Sequence, residues 1–287
     1  MRLSILDHGH RARVKMFLAI TGRDAPDIVR MLLYRPDFFS RPLLVITTGA
    51  MRGPSYWTPA EREYIGLRTA QLHQCPFCAD THTEMTRLAG HGEINPADPG
   101  SARPELRAVR AFLDTTQSPD RANPSLIDGL PEQAVREALH VDLVWNVVNR
   151  LANAFGFMLR GDQLHSGTRA LHRFGYRFPG FLLAGGDTTD HGGIVENLRY
   201  AVFDAPAVTD PSLRQAAATG EGLAEPWRSY AALVRDASYR VTDADIAQLT
   251  DAGHTEDEIF EITVAAATGA ALRSFEAGQH VAGTKHT

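Results

Sequence analysis

A capped helix followed at once by two cysteines restricts the fold of this chain more than any other stretch. Thr58 and Glu61 have the spacing of a capping box, and Pro59 suits the first helical position, so a helix is predicted to begin there. Apolar residues at helical spacing continue this helix to about residue 74. Cys75-Pro76 predicts a break and a new helix, because proline is tolerated in a first turn. Two consecutive helices are therefore expected, the second beginning at the cysteine.

The second predicted helix places two thiols and an imidazole on one face. Cys75 stands at its N-terminus, Cys78 follows one turn later, and His82 lies four residues further on. A helix N-terminus lowers the pKa of a thiol, and cysteines three positions apart can close a disulfide. His82 can accept a proton from Cys78, and Glu63 on the preceding helix can orient the imidazole. This pattern favours thiol redox chemistry.

The spacing Glu63-x11-Cys75-x2-Cys78-x3-His82 resembles the active-site motif of the alkylhydroperoxidase D-like, or carboxymuconolactone decarboxylase-like, family. The flanking segments RPLLVITTGAMRGPSYWTPAERE and VNRLANAFG are similar to that family too. The resemblance spans residues from about 15 to 160. It implies an all-α helical bundle, and it favours helix over strand for the apolar run RPLLVITTGAMRG, which periodicity alone leaves open.

The resemblance also implies roles for the motif residues. Cys78 would react with the peroxide, and Cys75 would resolve the resulting sulfenic acid. His82 and Glu63 would form the proton relay. One position departs from the family pattern, because Phe77 stands where better-known peroxidase members carry a histidine.

The predicted organisation has three parts: residues 1–160 form the redox domain, 161–196 a glycine-rich linker, and 197–287 a helical half-repeat without the motif. The half-repeat follows from residues that recur 124 positions apart, with Glu132, Val135 and Glu137 opposite Glu256, Ile259 and Glu261. Its apolar stripes lack covering helices of their own. The half-repeat is therefore expected to pack against the first domain, and the chain is expected to form a homo-oligomer.

Bulk properties exclude several function classes. The 287 residues are 44% hydrophobic, which suffices for a sizeable core, and a net charge of −5 gives no field that would attract nucleic acid. Two cysteines are too few for a secreted disulfide scaffold. The first residues lack the pattern of a signal peptide, and no apolar run reaches the roughly 18 residues of a membrane span. A cytoplasmic protein is expected.

The function favoured by the sequence is that of a thiol-dependent peroxidase or disulfide oxidoreductase. Its expected partners are a hydroperoxide substrate and an external dithiol reductant, with no metal or organic cofactor. A half zinc site would need two further ligands, and a glutaredoxin-type site would need a strand before the cysteines. A lactone decarboxylase-like enzyme stays open, although family members of that kind generally lack the cysteine pair. A non-enzymatic assembly protein with a structural disulfide also stays open.

Overall fold

The structure, a computed structural model, describes residues 1–20 and 25–283. It is 71% helical, and the described residues contain no strand, which confirms the predicted all-α fold. None of the described helices combines the length and apolar character needed to cross a lipid bilayer. The α-helices, α1 to α14 in chain order, are Ile5–His8, Ala12–Ile20, Asp27–Tyr34, Arg41–Arg52, Pro59–Leu72, Pro76–Gly90, Pro104–Thr116, Glu132–Phe155, Gln163–Phe174, Ile194–Phe203, Pro211–Thr219, Trp227–Ala237, Asp243–Asp251 and Glu256–Gly283.

Helices α5 and α6 begin where the sequence predicts. The Thr58 hydroxyl accepts the backbone N–H of Glu61 at 3.3 Å, and the Glu61 carboxylate accepts the backbone N–H of Thr58 at 2.9 Å. This reciprocal pair satisfies two backbone donors that a helix start leaves free. Cys75 is the N-cap of α6, and Pro76 is its first residue. Gln74, with φ of 50°, turns the chain sharply between the two helices.

The segment 161–196, predicted as a linker, contains the helix α9. The less exposed positions of α9 fall at helical spacing, namely Leu164, Gly167, Thr168 and Leu171. This one-sided stripe is typical of an amphipathic helix, whereas the linker prediction rested on the glycine content of the segment. The structure thus places a helix in the predicted linker.

The chain forms two compact units. Unit 1 consists of Met1–Ile46, Arg150–Gln163 and Arg177–Ala270, and unit 2 of Thr47–Asn149, Leu164–Tyr176 and Ala271–Thr287. Both units draw residues from before and after the predicted boundaries at 160 and 196. The units are therefore interleaved along the sequence.

The core of unit 2 lies around α5, which packs against α6 and α7. Helix α7 buries one face, formed by Leu106, Val109, Phe112 and Leu113. Trp57, just before α5, is also buried, and its indole N–H donates to the carbonyl of Ala134 at 2.7 Å. Burying one such large apolar side chain contributes about 1.5–3 kcal/mol. This packing holds the junction between α5 and α6 inside the unit.

The core of unit 1 centres on Phe260 of α14. Four aromatic rings surround it at centroid distances between 5.0 and 6.2 Å, namely Tyr34, Phe38, Phe39 and Phe155. Aromatic pairs at such separations contribute about 0.5–1.5 kcal/mol beyond their buried area. The first part of α14 is thus covered by residues from the N-terminal part of the chain.

Candidate redox site

Glu63 is the centre of a buried hydrogen-bonded cluster in unit 2. The Arg52 guanidinium donates to its Oε1 at 2.7 Å, and the His82 Nδ1 lies 3.0 Å from its Oε2. The Tyr176 hydroxyl lies 3.0 Å from Oε1 and 2.9 Å from Oε2. The Glu63 and His82 side chains are 0% and 1% exposed. A carboxylate with three donors can remain ionised although no water surrounds it.

The electrostatics agree with this geometry. Burial opposes ionisation of Glu63, but hydrogen bonding and charge from His82, together with Arg52, outweigh it and lower the pKa of the carboxyl group. Burial, followed by the negative charge of Glu63, raises the pKa of Tyr176 well above its usual value. The phenol therefore stays protonated and donates.

This assignment fixes the tautomer of the imidazole. An ionised carboxylate only accepts hydrogen bonds, so Nδ1 of His82 must be the donor to Glu63. In the neutral imidazole, Nε2 then carries the lone pair and is the ring nitrogen that can take up a proton. The Glu63–His82 pair has the arrangement of an orienting carboxylate and a general base.

The imidazole of His82 packs against Trp145 and Gly66. The ring of Trp145 meets it edge to face at a centroid distance of 4.1 Å, and the indole N–H of Trp145 points to the sulfur of Met51 at 3.3 Å. Gly66 makes room for both rings, since a Cβ at that position would lie 2.9 Å from His82 Cε1 and 3.0 Å from Trp145 Cδ1. The glycine in the middle of α5 is thus explained by close packing rather than by helix formation.

The two cysteines lie together at the start of α6. Both are buried and free, and they approach to 3.2 Å without forming a disulfide. Cys75 is the N-cap of the helix and Cys78 lies in its first turn. A change in side-chain torsion is enough to bring two sulfurs at this separation to bonding distance.

The pKa of the Cys78 thiol is set by its burial. Its burial, and then the neighbouring Cys75, raise the pKa of Cys78 well above its usual value. The lower pKa expected for a cysteine at a helix N-terminus does not extend to Cys78 in the first turn, because desolvation of the charged form outweighs the helix dipole. The Cys78 thiol is therefore protonated at neutral pH, and a base must remove its proton before the sulfur can react.

His82 is the base that shares a helix face with Cys78. It follows Cys78 by four positions on α6, so their Cβ atoms are roughly 5–6 Å apart. All four residues of the predicted motif lie in unit 2, and the structure pairs Glu63 with His82 and Cys75 with Cys78. Their catalytic roles stay a prediction.

The sequence pattern did not identify two members of the cluster, Arg52 and Tyr176. Arg52 ends α4, and Tyr176 lies two positions beyond the end of α9. Neither has a fixed spacing to the cysteines, so no local pattern could identify them. The available signal was Gly175 directly before Tyr176, since glycine marks positions where the backbone takes a positive φ.

Phe77 is buried in the first turn of α6, between the two cysteines. The position at which the resemblance expects a histidine therefore holds an apolar ring. Among residues 1–20 and 25–283, no group of three or more histidine, cysteine, aspartate or glutamate side chains could hold a metal ion.

Comparison of the sequence with models of known protein families and with curated proteins gives no match. The alkylhydroperoxidase D-like resemblance therefore rests on the motif and its flanking segments, and membership in that family stays a prediction.

Proposed function

We propose that this protein is a thiol-dependent oxidoreductase that reduces hydroperoxides through a Cys75/Cys78 dithiol–disulfide cycle. The observation that carries the proposal is a buried Glu63–His82 pair placed one helical turn from two neighbouring thiols. A base with a fixed tautomer compensates for the raised pKa of Cys78, which by itself would leave the thiol unreactive.

The first step consumes the peroxide. Nε2 of His82 takes the proton of the Cys78 thiol, and the thiolate attacks one oxygen of the O–O bond. The S–O bond forms as the O–O bond breaks, and the leaving alkoxide takes the proton back from His82. The products are Cys78 sulfenic acid and an alcohol, so sulfur is oxidised by two electrons and the peroxide is reduced by two.

The second step closes the disulfide. Cys75 displaces hydroxide from the sulfenic acid of Cys78, and with the Cys75 proton the hydroxide leaves as water. The short separation of the two cysteines favours this condensation over further oxidation. An external dithiol then reduces the disulfide by two exchange reactions and becomes a disulfide itself.

A second candidate is a non-enzymatic assembly protein in which the pair forms a structural disulfide. The burial and the raised pKa of Cys78 favour this candidate, since buried structural cysteines are inert. The two candidates differ in whether the dithiol turns over.

Peroxide consumption by the full chain, with dithiothreitol as reductant, tests the proposal. The Cys78→Ser variant should abolish consumption, and the Cys75→Ser variant should give one turnover and a sulfenic acid at Cys78 that dimedone traps. The His82→Ala variant should lose about 10²–10⁴-fold in rate. His165→Ala is the matched control, because His165 is an exposed histidine on α9, 3.5 Å from Glu84.

Mass analysis after peroxide treatment decides against the proposal if two free thiols remain. Slow formation of a disulfide that dithiothreitol reduces only after unfolding would favour the structural disulfide. A sulfenic acid trapped at Cys75 in the Cys78→Ser variant would reverse the two cysteine roles.

A further inference from the structure

Tyr176 reaches Glu63 from a segment that the redox motif does not include. Its hydroxyl bonds both oxygens of the Glu63 carboxylate, and both side chains are buried. Arg52 and His82 each contact one oxygen of the same carboxylate. Tyr176 is thus the donor that bridges the oxygen facing the arginine and the oxygen facing the imidazole.

The ring of Tyr176 is held in place by an unusual backbone and by two neighbours. Its φ is 64°, a value rare for residues other than glycine, and the preceding Gly175 has φ of 62°. A Cβ on Gly175 would lie 3.3 Å from the stem of Arg52. The guanidinium of Arg52 covers the Tyr176 ring at 5.0 Å, and the ring of Trp145 lies 5.7 Å away. A strained residue persists where its surroundings fix it, and such residues cluster at functional sites.

We propose that Tyr176 is a positioning residue of the redox site, which holds the Glu63 carboxylate in the plane where it accepts the Nδ1 proton of His82. The inference deepens the proposed function and rests on it in one respect, namely that His82 serves the dithiol as a base. Tyr176 touches neither thiol in this scheme and acts through Glu63.

Four charged or titratable groups surround Glu63. They are Arg52 from α4, Arg62 on its own helix, His82 from α6, and Tyr176 itself. Removing the hydroxyl leaves the carboxylate with one fewer donor, so that only Arg52 and His82 fix its plane. Loss of a donor disfavours the charged form, so the pKa of Glu63 rises and the carboxylate neutralises at higher pH.

The test compares Tyr176→Phe with Tyr230→Phe. Tyr230 is the matched control because it is also buried and its hydroxyl bonds the Thr263 hydroxyl at 2.7 Å in unit 1, where no thiol lies. At neutral pH, Tyr176→Phe should slow peroxide-driven disulfide formation about tenfold, the size expected for one hydrogen bond to a charged group. The acid limb of its pH–rate profile should move to higher pH. Tyr230→Phe should leave both unchanged.

A double variant tests whether Tyr176 acts through Glu63. In the Glu63→Gln background the added Tyr176→Phe change should have no further effect on the rate. Additive losses would overturn the positioning role, as would a Tyr176→Phe profile superimposable on that of the wild type. A fluorinated tyrosine at position 176, whose hydroxyl is a stronger donor, keeps the ring size and should move the acid limb to lower pH. That measurement decides the matter if Tyr176→Phe fails to fold.

Haloacetamide alkylation separates this inference from the proposed function. Alkylation needs a thiolate but no peroxide, so Tyr176→Phe should lower its rate near neutral pH even if the chain reduces no hydroperoxide. A wild-type chain inert to peroxide but with alkylation that depends on Tyr176 would overturn the peroxidase proposal and retain the positioning role. Alkylation unchanged by Tyr176→Phe would overturn the positioning role alone.

Discussion

Units 1 and 2 contain the same arginine-centred turn. In unit 2, the buried Arg62 donates to the carbonyls of Ala50 at 3.3 Å and Gly53 at 2.8 Å. In unit 1, Arg214 follows Arg62 by 152 positions and is likewise buried. Two of its four carbonyl acceptors, Val202 and Ala205, stand 152 positions after those of Arg62.

A glutamate that accepts backbone N–H groups recurs with the arginine. Glu137 of unit 2 accepts the backbone N–H of Tyr56 at 2.8 Å, and Glu261 of unit 1 accepts that of Val208 at 2.8 Å. The donors are again 152 positions apart, whereas the glutamates are 124 positions apart. The repeat that the sequence indicated at Glu137 and Glu261 thus has a counterpart in hydrogen bonding.

The two spacings differ by 28 positions (152 − 124 = 28), so unit 1 lacks a segment of that length between its arginine and its glutamate. In unit 2 this interval contains α7 and α6, the helix that carries both cysteines and His82. Helix α12 of unit 1 stands about 124 positions after α7, so α6 is the helix left without a counterpart. Unit 1 thus keeps the turn and the glutamate and has no counterpart of the redox helix.

The remaining site positions differ as well. Glu63 corresponds to Gln215, and Arg52 corresponds to Asp204, each 152 positions later. The Arg52–Glu63 ion pair of 2.7 Å is replaced by an amide–carboxylate hydrogen bond of 2.9 Å between Gln215 and Asp204. Gln215 is exposed and uncharged, so it needs no buried imidazole or phenol as a partner.

The helix packing around the imidazole also differs between the units. In unit 2, Gly66 leaves space for the imidazole and Trp145 packs against it, whereas their counterparts in unit 1 are Ala218 and Gly269. A Cβ on Gly269 would lie 2.5 Å from the Cβ of Ala218, so those two helices touch directly. The contacts that build the fold and the contacts that build the site are made by different residues. Unit 1 keeps the first set without the second.

The largest expected effect comes from giving unit 2 the residue of unit 1. Glu63→Gln keeps the shape but removes the charge that fixes the His82 tautomer, and the rate of peroxide reduction should fall by about 10²-fold or more. The matched control is Gln215→Glu, at an exposed position of unit 1, which should leave the rate unchanged. Steady-state peroxide consumption checks both. Equal losses in the two variants would remove the functional distinction between the units.

A smaller effect is expected from Gly66→Ala, which introduces the alanine of unit 1 into α5. The new methyl group would lie 2.9 Å from His82 Cε1, and the imidazole must shift away from it. Overpacking of this kind typically costs about 1–3 kcal/mol, and the rate should fall by roughly tenfold. Thermal unfolding and peroxide consumption measure the two consequences. An unchanged rate would mean that the close packing of Gly66 against the imidazole does not set the position of His82.

The acid stability of the chain should depend on Glu63. Because its pKa is lowered in the folded state, ionised Glu63 stabilises the fold above the ordinary carboxyl range of about pH 4. This stabilisation is lost as the pH falls through the lower folded-state pKa. The wild type should therefore lose more stability than Glu63→Gln between about pH 6 and pH 3 in denaturant unfolding. If the stability of the two proteins falls in parallel with pH, Glu63 is not an ionised carboxylate held by three donors in the folded state.

The smallest effect is expected from Phe77→His, which restores the histidine of the family pattern between the cysteines. A second imidazole near Cys78 should raise the rate of peroxide reduction by a few-fold, about one kcal/mol in barrier at most. Single-turnover disulfide formation is the measurement. No change would mean that Glu63, His82 and Tyr176 already supply the proton transfers.

Sequence alone determined the features that depend on neighbours within a few residues. The capping box at Thr58, the restart of the chain at Cys75-Pro76 and the phase of Cys78 with His82 are local, because a helix start is satisfied by side chains three positions away. The all-α class and the recurrence at Glu137 and Glu261 were also present in the sequence pattern.

Tertiary structure decided everything that depends on burial and on long-range contact. No fixed spacing links Arg52 or Tyr176 to Glu63, since Arg52 ends α4 and Tyr176 lies beyond the end of α9. The raised pKa of Cys78 could not be predicted either, because the cost of desolvating a thiolate is set by packing and not by position in a helix. The motif therefore indicates the candidate reacting groups, whereas the tertiary structure determines their protonation and the residues that hold them in place.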